Sequence, residues 1–332
     1  MEQTDVCIAY AMRTFFLLRM RNLLTNAGIC VTISLMKMFE EKLLGGDYAE
    51  QLPTTRRAAF AFYGKQQFWK LLLCGAFTSL FFAPLLVWLY AMNYARAQAV
   101  AALDPTAADY AVMYGHFLVG WSLKTYLVSV PLVALFFVGL AGLFALVKRI
   151  CFYQSSNYRE FFVGIAHNWL HFALWGMLFG ISLFFLRFNI TYYTVSGFSP
   201  VAKGLLAGFA VVQFVLVAVA TMYFVTGDVT YRYTLWQSIK NAFLLTFNGL
   251  FKNLLFAAIG FAPFVIALFV PSPFQTLLLA VAGLVYPGFL SLLWMTYCQG
   301  VYDKAINPQL GAEYVGKGLA KRHGDGDSEK TV

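Results

Sequence analysis

The chain alternates between long apolar runs and short connections that hold nearly all of its charged residues. Six runs approach the ~20 residues that a helix needs to cross a bilayer. Central Leu, Ile, Phe and Val each favour insertion by about 0.3 to 0.6 kcal/mol, so all six are predicted to insert. They are Leu71–Met92, Thr125–Leu146, Leu170–Leu186, Leu205–Val225, Leu254–Val270 and Leu277–Tyr297. The pattern predicts an all-α polytopic membrane helix bundle with six transmembrane helices and amphipathic interfacial helices on its cytoplasmic side.

The start of the chain has a different pattern. Arg13, Arg19 and Arg21 interrupt a series of leucines and phenylalanines, and the following apolar run, Ile29–Phe39, is broken by a lysine. That run is shorter than the ~17 residues of a minimal span. A pair of amphipathic helices on the cytoplasmic leaflet fits better, because arginine and lysine side chains can reach from an apolar face to lipid phosphate. We therefore predict a basic interfacial segment.

These patterns divide the chain into three predicted parts. Residues 1–66 form the basic amphipathic interfacial segment, and residues 67–305 form the six-span membrane domain. Residues 306–332 form a polar, glycine-rich cytoplasmic tail. That composition cannot bury enough apolar surface to fold, so the tail is predicted to be disordered.

Composition and charge point to a membrane protein. Only 12% of the 332 residues are charged, against about 25% in a soluble domain. The net charge of +9 does not indicate nucleic-acid binding, because no basic cluster is interleaved with an aromatic face. Of the 24 Lys and Arg residues, the side opposite to the termini has only Arg96, Lys124, Arg187 and Lys203. Basic connections stay in the cytosol, which predicts a multi-pass membrane protein with both termini inside and membrane lipids as partners.

Three similar segments precede spans one, three and five. Ala61-Phe62-Tyr63-Gly64 leads to Phe68-Trp69-Lys70, Phe161-Phe162-Val163-Gly164 leads to Asn168-Trp169-Leu170, and Ala242-Phe243 leads to Phe251-Lys252. One interpretation is three units, each made of a surface helix and a helical hairpin. The other is that any helix entering a bilayer gains Trp and Lys at the interface. The candidate interfacial residues are Arg13, Arg19, Arg21, Trp69, Arg159, His167, Trp169, His171 and Lys240.

The six predicted spans contain no Asp, Glu, Lys or Arg. Ion-coupled carriers usually keep such a group near the middle of the membrane, so secondary active transport is disfavoured. Gly176 with Gly180, and Gly204 with Gly208, place small residues one turn apart, which favours close helix packing within the chain or between copies. The candidates for a cavity are prolines that would kink their helices and one amide: Pro84, Pro131, Pro263, Pro287 and Gln213.

Catalytic and metal-binding motifs are not found. His167 and His171 have the spacing of a metal-binding pair. The nearest carboxylate on that face, Glu160, is about two turns before His167 and too distant to share an ion, so both histidines are interpreted as interfacial. The five cysteines have no CxxC spacing, and phosphate-loop and nucleophile motifs are absent. We expect no enzymatic activity, no metal and no cofactor.

Four sequence elements carry a resemblance to a known family. They are Pro131 with Gly139-Leu-Ala-Gly142-Leu, Tyr158-Arg159-Glu160-Phe161-Phe162 before Asn168-Trp169, Tyr231-Arg232-Tyr233-Thr234-Leu235, and Ile239-Lys240-Asn241-Ala242-Phe243-Leu244-Leu245. From about residue 121 to residue 308 the chain resembles the YesL-like family of uncharacterised bacterial integral membrane proteins. Genes of that family often lie near carbohydrate uptake systems, so the resemblance implies a loose association with sugar transport. It assigns no functional residue.

Two functions follow as expectations. The first is an accessory or partner-binding membrane component associated with carbohydrate uptake, for example with an ABC-type transporter. The alternative is a permease that carries a neutral solute through a proline-kinked cavity. A solute-sized polar cavity lined by Gln213 and the prolines would favour the permease, whereas a close-packed interior would favour the accessory role.

Overall fold

The computed structural model describes residues 52–153, 157–231, 233–267 and 272–320. All regular elements in these residues are helical, which confirms the predicted all-α class. Arg13, Arg19 and Arg21 lie outside the described residues, so the interfacial segment that contains them stays a prediction. The helices are α1 (Arg56–Gln66), α2 (Phe68–Ala101), α3 (Tyr110–Tyr153), α4 (Arg159–Val195), α5 (Pro200–Thr230), α6 (Leu235–Phe247), α7 (Leu250–Ala267), α8 (Ser272–Ala305) and α9 (Asn307–Leu310), followed by a 3-10 turn at Ala312–Tyr314.

Five helices are long and apolar enough to cross a membrane, within the described residues. They are α2, α3, α4, α5 and the Val281–Ala305 part of α8. Helices α6 and α7 pass the same test only as a pair, and they meet at an angle of 109°. The described residues therefore contain five candidate spans, or six when α6 and α7 are taken as one broken span, in agreement with the predicted helical bundle.

Helix α3 lies at the centre of the bundle. It contacts α1, α2, α4, α5 and α8, and 61% of its most apolar stretch is buried, against 33% for α4. Between Ala141 and Val147 only Ala145 is not fully buried. A helix that is covered on every side needs apolar residues all round. The segment 157–188, which carries the clearest sequence repeat, belongs instead to the less buried α4.

Glycines allow α3 and α4 to lie close together. A Cβ atom at Gly176 would lie 2.8 Å from the Cα atom of Ala134, and one at Gly180 would lie 3.0 Å from the Cα atom of Val130. Since Ala134 and Val130 are on α3, this glycine pair serves packing within the chain. Gly204 has no atom within 4 Å of such a Cβ position, and the same is true of its partner in the motif, Gly208.

Two of the three repeat units contain a helix break, and one does not. Gln67 separates α1 from α2, and residues 248–249 separate α6 from α7. The prediction of a separate surface helix is wrong for the second unit, because α4 continues through Trp169 without interruption. Phe161 and Gly164, in the first turns of α4, are buried. A Cβ atom added at Gly164 would overlap α3, so the packing holds these turns in line with the rest of α4.

Helix α1 packs with the bundle. The compact unit that contains the bundle begins at Pro53, whereas the predicted interfacial segment extends to residue 66. Helix α1 contacts α2, α3 and α8, and it buries Ala59 and Tyr63 against them. The side-chain oxygen of Thr55 accepts a hydrogen bond from a backbone N–H in the first turn, which fixes where the helix starts.

The predicted disorder of the tail is wrong for residues 306–320. Arg56 forms a salt bridge of 2.8 Å with Asp303, at the end of α8, and its Nη1 donates to the carbonyl oxygen of Lys317 at 3.0 Å. Polar composition predicted a segment that cannot fold alone, but partners elsewhere in the chain supply its hydrogen bonds. We call residues 311–320 the C-terminal strap. Residues 321–332 lie outside the described part of the chain.

Two further contacts hold the strap. The Tyr63 hydroxyl donates to the carbonyl oxygen of Gly318 at 3.0 Å. Burial raises the pKa of Tyr63 to about 12, so the hydroxyl remains a donor at ordinary pH. The ammonium group of Lys317 lies 5.2 Å from the ring centroid of Tyr153 and 5.7 Å from that of Phe152, within the range of cation–π attraction. The strap is thereby attached to both α1 and α3.

Candidate functional site

Buried polar side chains meet at one end of the bundle, which we call the polar end. It contains α1, α6, the N-terminal ends of α2, α4 and α7, and the C-terminal ends of α3, α5 and α8. The opposite end, where α2 connects to α3 and α4 connects to α5, is called the far end. Two groups of residues organise the polar end, one around Asp228 and one around Asn253.

The Asp228 group consists of Asp228 on α5, His171 on α4 and Ser238 on α6. The Asp228 side chain is only 2% exposed. Its Oδ1 atom accepts a hydrogen bond from the Ser238 hydroxyl at 2.7 Å and lies 3.0 Å from Nδ1 of His171. A buried carboxylate is costly unless it is hydrogen-bonded or paired. One carboxylate oxygen therefore joins three helices.

Local sequence places Ser238 on this oxygen. Thr234 and Gln237 form a capping box in which each side chain accepts a hydrogen bond from the other residue's backbone N–H. The capping box satisfies two of the unpaired N–H groups at a helix start, and so fixes where α6 begins. Ser238 follows directly, in the first turns of α6, on the face that packs against α5.

Asn253, in the first turn of α7, stabilises the bend between α6 and α7. Its Nδ2 atom donates to the carbonyl oxygens of Leu245, Thr246 and Asn248 at 3.0, 2.9 and 3.2 Å. The carbonyls at the C-terminal end of a helix have no partner within the helix, so the amide satisfies groups that the bend leaves free. Gly249 has a φ of +84°, in the left-handed region that glycine adopts most readily.

The oxygen of the same amide binds two tyrosines. The hydroxyl of Tyr223 on α5 donates to Oδ1 of Asn253 at 2.6 Å, and the hydroxyl of Tyr297 on α8 donates to it at 2.7 Å. Asn253 is 0% exposed, so all of these bonds form away from solvent. The α6–α7 bend is thus attached to both α5 and α8.

A third set of hydrogen bonds extends this network towards the C-terminal strap. The hydroxyls of Thr226 and Tyr302 lie 2.7 Å apart. Close by, the Tyr231 hydroxyl donates to Oδ1 of Asn307 at 2.5 Å, and Nδ2 of Asn307 donates to Asp303 at 2.7 Å. Since Asp303 also binds Arg56, hydrogen bonds connect α5, α8 and α1.

A crevice of about 220 Å³, including solvent space at its mouth, opens beside the Asp228 group. It is lined by Asp228 and Ser238 together with the rings of Tyr223, Tyr231 and Tyr233, among others. Burial raises the pKa of Tyr231 and of Tyr233, so both hydroxyls stay protonated. Much of the crevice volume is open solvent, so the enclosed space is far below the ~300–1,000 Å³ of a usual small-molecule site. Asp228 and His171 are close enough to exchange a proton, but the crevice beside them is smaller than a typical ligand site.

The predicted cavity residues do not line this crevice. Pro84 and Pro131 are exposed on the outside of the bundle, while Gln213 is partly exposed along α5. Pro263 and Pro287 are partly exposed on α7 and α8. The structure therefore does not bring the four prolines and the amide together around the crevice.

The candidate interfacial residues divide into two sets. Trp69, Trp169, Arg159, His167 and Lys240 are exposed, as expected for side chains that meet lipid headgroups. His171 differs, because the Asp228 group holds it. Within the described residues, no three His, Cys, Asp or Glu side chains are close enough to bind a metal ion together.

The far end carries paired arginines and aromatic rings. The guanidinium of Arg96 lies 5.1 Å from the ring centroid of Trp121. Arg187 lies 5.4 Å from the ring of Tyr126 and donates from Nε to its hydroxyl at 3.0 Å. Trp and Tyr are enriched where helices leave the hydrocarbon region, so these pairs suit a second membrane interface.

Sequence reasoning missed Asp228 and Asn253. Asp228 lies outside the apolar runs, three residues after the fourth run ends at Val225, although it belongs to the same helix. The sequence did contain a signal for this residue: Asp228 is an acid in a connection whose other charged residues are all basic. Asn253 was missed because a neutral amide beside Lys252 is ordinary at a membrane interface.

Comparisons with protein-family models, with curated proteins and with solved structures find no match to this chain. The resemblance to the YesL-like family therefore stays a prediction, and the site has to be interpreted from its own geometry.

Proposed function

We propose that this chain is a multi-pass protein of a bacterial cell membrane that works by binding another membrane protein. Its polar end faces the cytosol, and its partner belongs to a carbohydrate uptake system such as an ABC-type transporter. In this proposal the chain itself neither catalyses a reaction nor carries a solute.

One observation carries the proposal: the buried polar side chains around Asp228, Asn253 and Tyr302 bind one another. Asn253 and Tyr302 are at most 1% exposed, and each is hydrogen-bonded to side chains of other helices. A carrier needs polar groups that face a space large enough for its solute. The crevice beside Asp228 is small, and the prolines and Gln213 lie elsewhere. A network of this kind holds a rigid surface in place.

The distribution of basic residues supports the proposed orientation. Arg56, Lys148 and Lys317 lie at the polar end, and Lys148 Nζ donates to the carbonyl oxygen of Val229 at 2.6 Å. Cytoplasmic connections of membrane proteins carry an excess of Lys and Arg. The sugar-transport partner is inferred from the YesL-like resemblance alone.

Two measurements on the full chain test the proposal. Tagged protein purified from native membranes should retain subunits of one transporter in near-equal amounts, and a multi-pass protein with the same tag but an unrelated sequence should not. The purified chain in liposomes should give no more sugar uptake than empty liposomes. Uptake by the chain alone would overturn the proposal in favour of the permease. Purification without any transporter subunit would overturn the proposed partner.

A further inference from the structure

Helix α6 has two apolar faces, and the described part of the chain covers only one of them. The inner face carries Ser238, Ala242 and Leu245, which are buried against the bundle. The opposite face carries what we call the α6 outer stripe, consisting of Trp236, Lys240, Leu244 and Phe247. In this stripe Trp236 is 73% exposed, Leu244 60% and Phe247 59%. A helix that is apolar on both sides needs an apolar cover on both.

The bend fixes the direction of this stripe. Helix α7 has 18 residues, about 27 Å of helix at 1.5 Å per residue, which is close to the ~30 Å thickness of the hydrocarbon core. Because α6 meets α7 at 109°, α6 runs nearly parallel to the membrane surface when α7 crosses the bilayer. The Asn253 amide and the positive φ of Gly249 make the bend a property of the fold.

An exposed apolar face of α7 begins directly after the bend. Phe251 is 87% exposed, Leu255 59% and Ile259 41%, and these residues follow Phe247 at intervals of four. A face of this kind on a helix of spanning length is covered by acyl chains. The same lipid layer is therefore next to the outer stripe at the point where the chain bends.

We propose that the α6 outer stripe binds the lipid–water interface of the bilayer at the polar end. Trp236, Leu244 and Phe247 lie among the upper acyl segments, and Lys240 extends to the lipid phosphates. Amphipathic helices bind interfaces with such residues, and tryptophan prefers this depth. The inference adds a lipid-binding surface to the proposed function and does not depend on it, because a protein partner would have to bind another face.

The depth of spin labels in vesicles tests the proposal. Single labels are attached to Trp236→Cys, Leu244→Cys and Phe247→Cys on α6, and to Phe251→Cys, Leu255→Cys and Ile259→Cys on α7. All six positions are exposed, so the substitutions leave the core intact. The parent carries Cys7→Ser and Cys30→Ser and must take up no label, since Cys74, Cys151 and Cys298 are buried. Accessibility to oxygen and to a water-soluble nickel chelate gives the depth of each label in phosphatidylethanolamine/phosphatidylglycerol vesicles.

The expected result is one shallow depth for the three α6 labels, with high oxygen and low nickel accessibility, and increasing depth along α7. From residue 251 to residue 259 the depth should increase by about 12 Å. Three outcomes would overturn the proposal. In the first, the α6 labels are as accessible to nickel as a label on exposed Gln309→Cys, so α6 faces water. In the second, the α6 labels are protected from both reagents, as they would be under a protein partner. In the third, the depth increases steadily along α6, so α6 does not lie parallel to the membrane surface.

Discussion

At the scale of single residues, Asp228 joins three helices through one buried carboxylate oxygen. Its side chain is 2% exposed, and one of its oxygens contacts both Ser238 and His171. Within the low-dielectric interior, such bonds are strong when complete and costly when one partner is lost. The connection of α4, α5 and α6 should therefore depend on this carboxylate.

Replacing Asp228 with alanine should destabilise the bundle. The Ser238 hydroxyl and the His171 ring would lose a buried partner, at a cost of about 1–3 kcal/mol. The midpoint of thermal unfolding in detergent should fall by several degrees. Asp109→Asn, at an exposed position in the loop at the far end, is the matched control and should unfold like the parent. An unchanged midpoint for Asp228→Ala would show that the group does not hold the helices together.

The two GxxxG pairs give a second prediction at this scale. Gly176→Leu should destabilise the chain by about 1–3 kcal/mol through overpacking, because Ala134 already fills the space beside Gly176. Gly208→Leu should leave the fold unchanged, since a Cβ at Gly208 meets no atom within 4 Å. Thermal unfolding of the two variants makes the comparison. Equal destabilisation of both would contradict the helix contacts described for α3 and α4.

At the scale of elements, the chain turns by 109° at the bend between α6 and α7. The geometry of the bend is fixed by one buried amide that binds three carbonyls on one side and two tyrosine hydroxyls on the other. Loss of that amide would leave five polar groups to find other partners, while the rest of the bundle keeps its contacts. The effect of a substitution should therefore be confined to this region.

Asn253→Ala should loosen α6. Hydrogen exchange of the α6 amides, measured in detergent, should become at least tenfold faster, which corresponds to about 1.4 kcal/mol of lost local stability. Exchange in the centre of α3 should not change. Asn93→Ala, at an exposed position near the far end of α2, serves as the control. Exchange that becomes faster throughout the bundle would mean that the bend is not an independent unit.

At the scale of the whole molecule, the apolar runs predicted the features that depend on helix length and apolar content, namely the spanning helices and the all-α class. Five of the six apolar runs lie entirely inside helices, the described part of the remaining run (254–267) lies inside α7, and the all-α bundle follows from them. The runs could not identify α3 as the central helix, because burial inside a bundle and exposure to lipid both select apolar residues. The polar end depends on contacts distant in sequence, such as the one between Asp228 and His171. Composition also predicted disorder wrongly for residues 306–320, because their partners Arg56 and Tyr63 lie about 250 positions earlier in the chain.

The central claim is that α7 crosses the membrane and that the polar end is cytosolic. Labelling of single cysteines by a membrane-impermeant maleimide in spheroplasts tests it most directly, with Pro271→Cys after α7, Gly197→Cys at the far end and Gln309→Cys at the polar end. The parent again carries Cys7→Ser and Cys30→Ser. We predict that Pro271→Cys and Gly197→Cys are labelled in intact spheroplasts, and that Gln309→Cys is labelled only after permeabilisation. Labelling of Pro271→Cys only after permeabilisation, or of Gln309→Cys from outside, would contradict it.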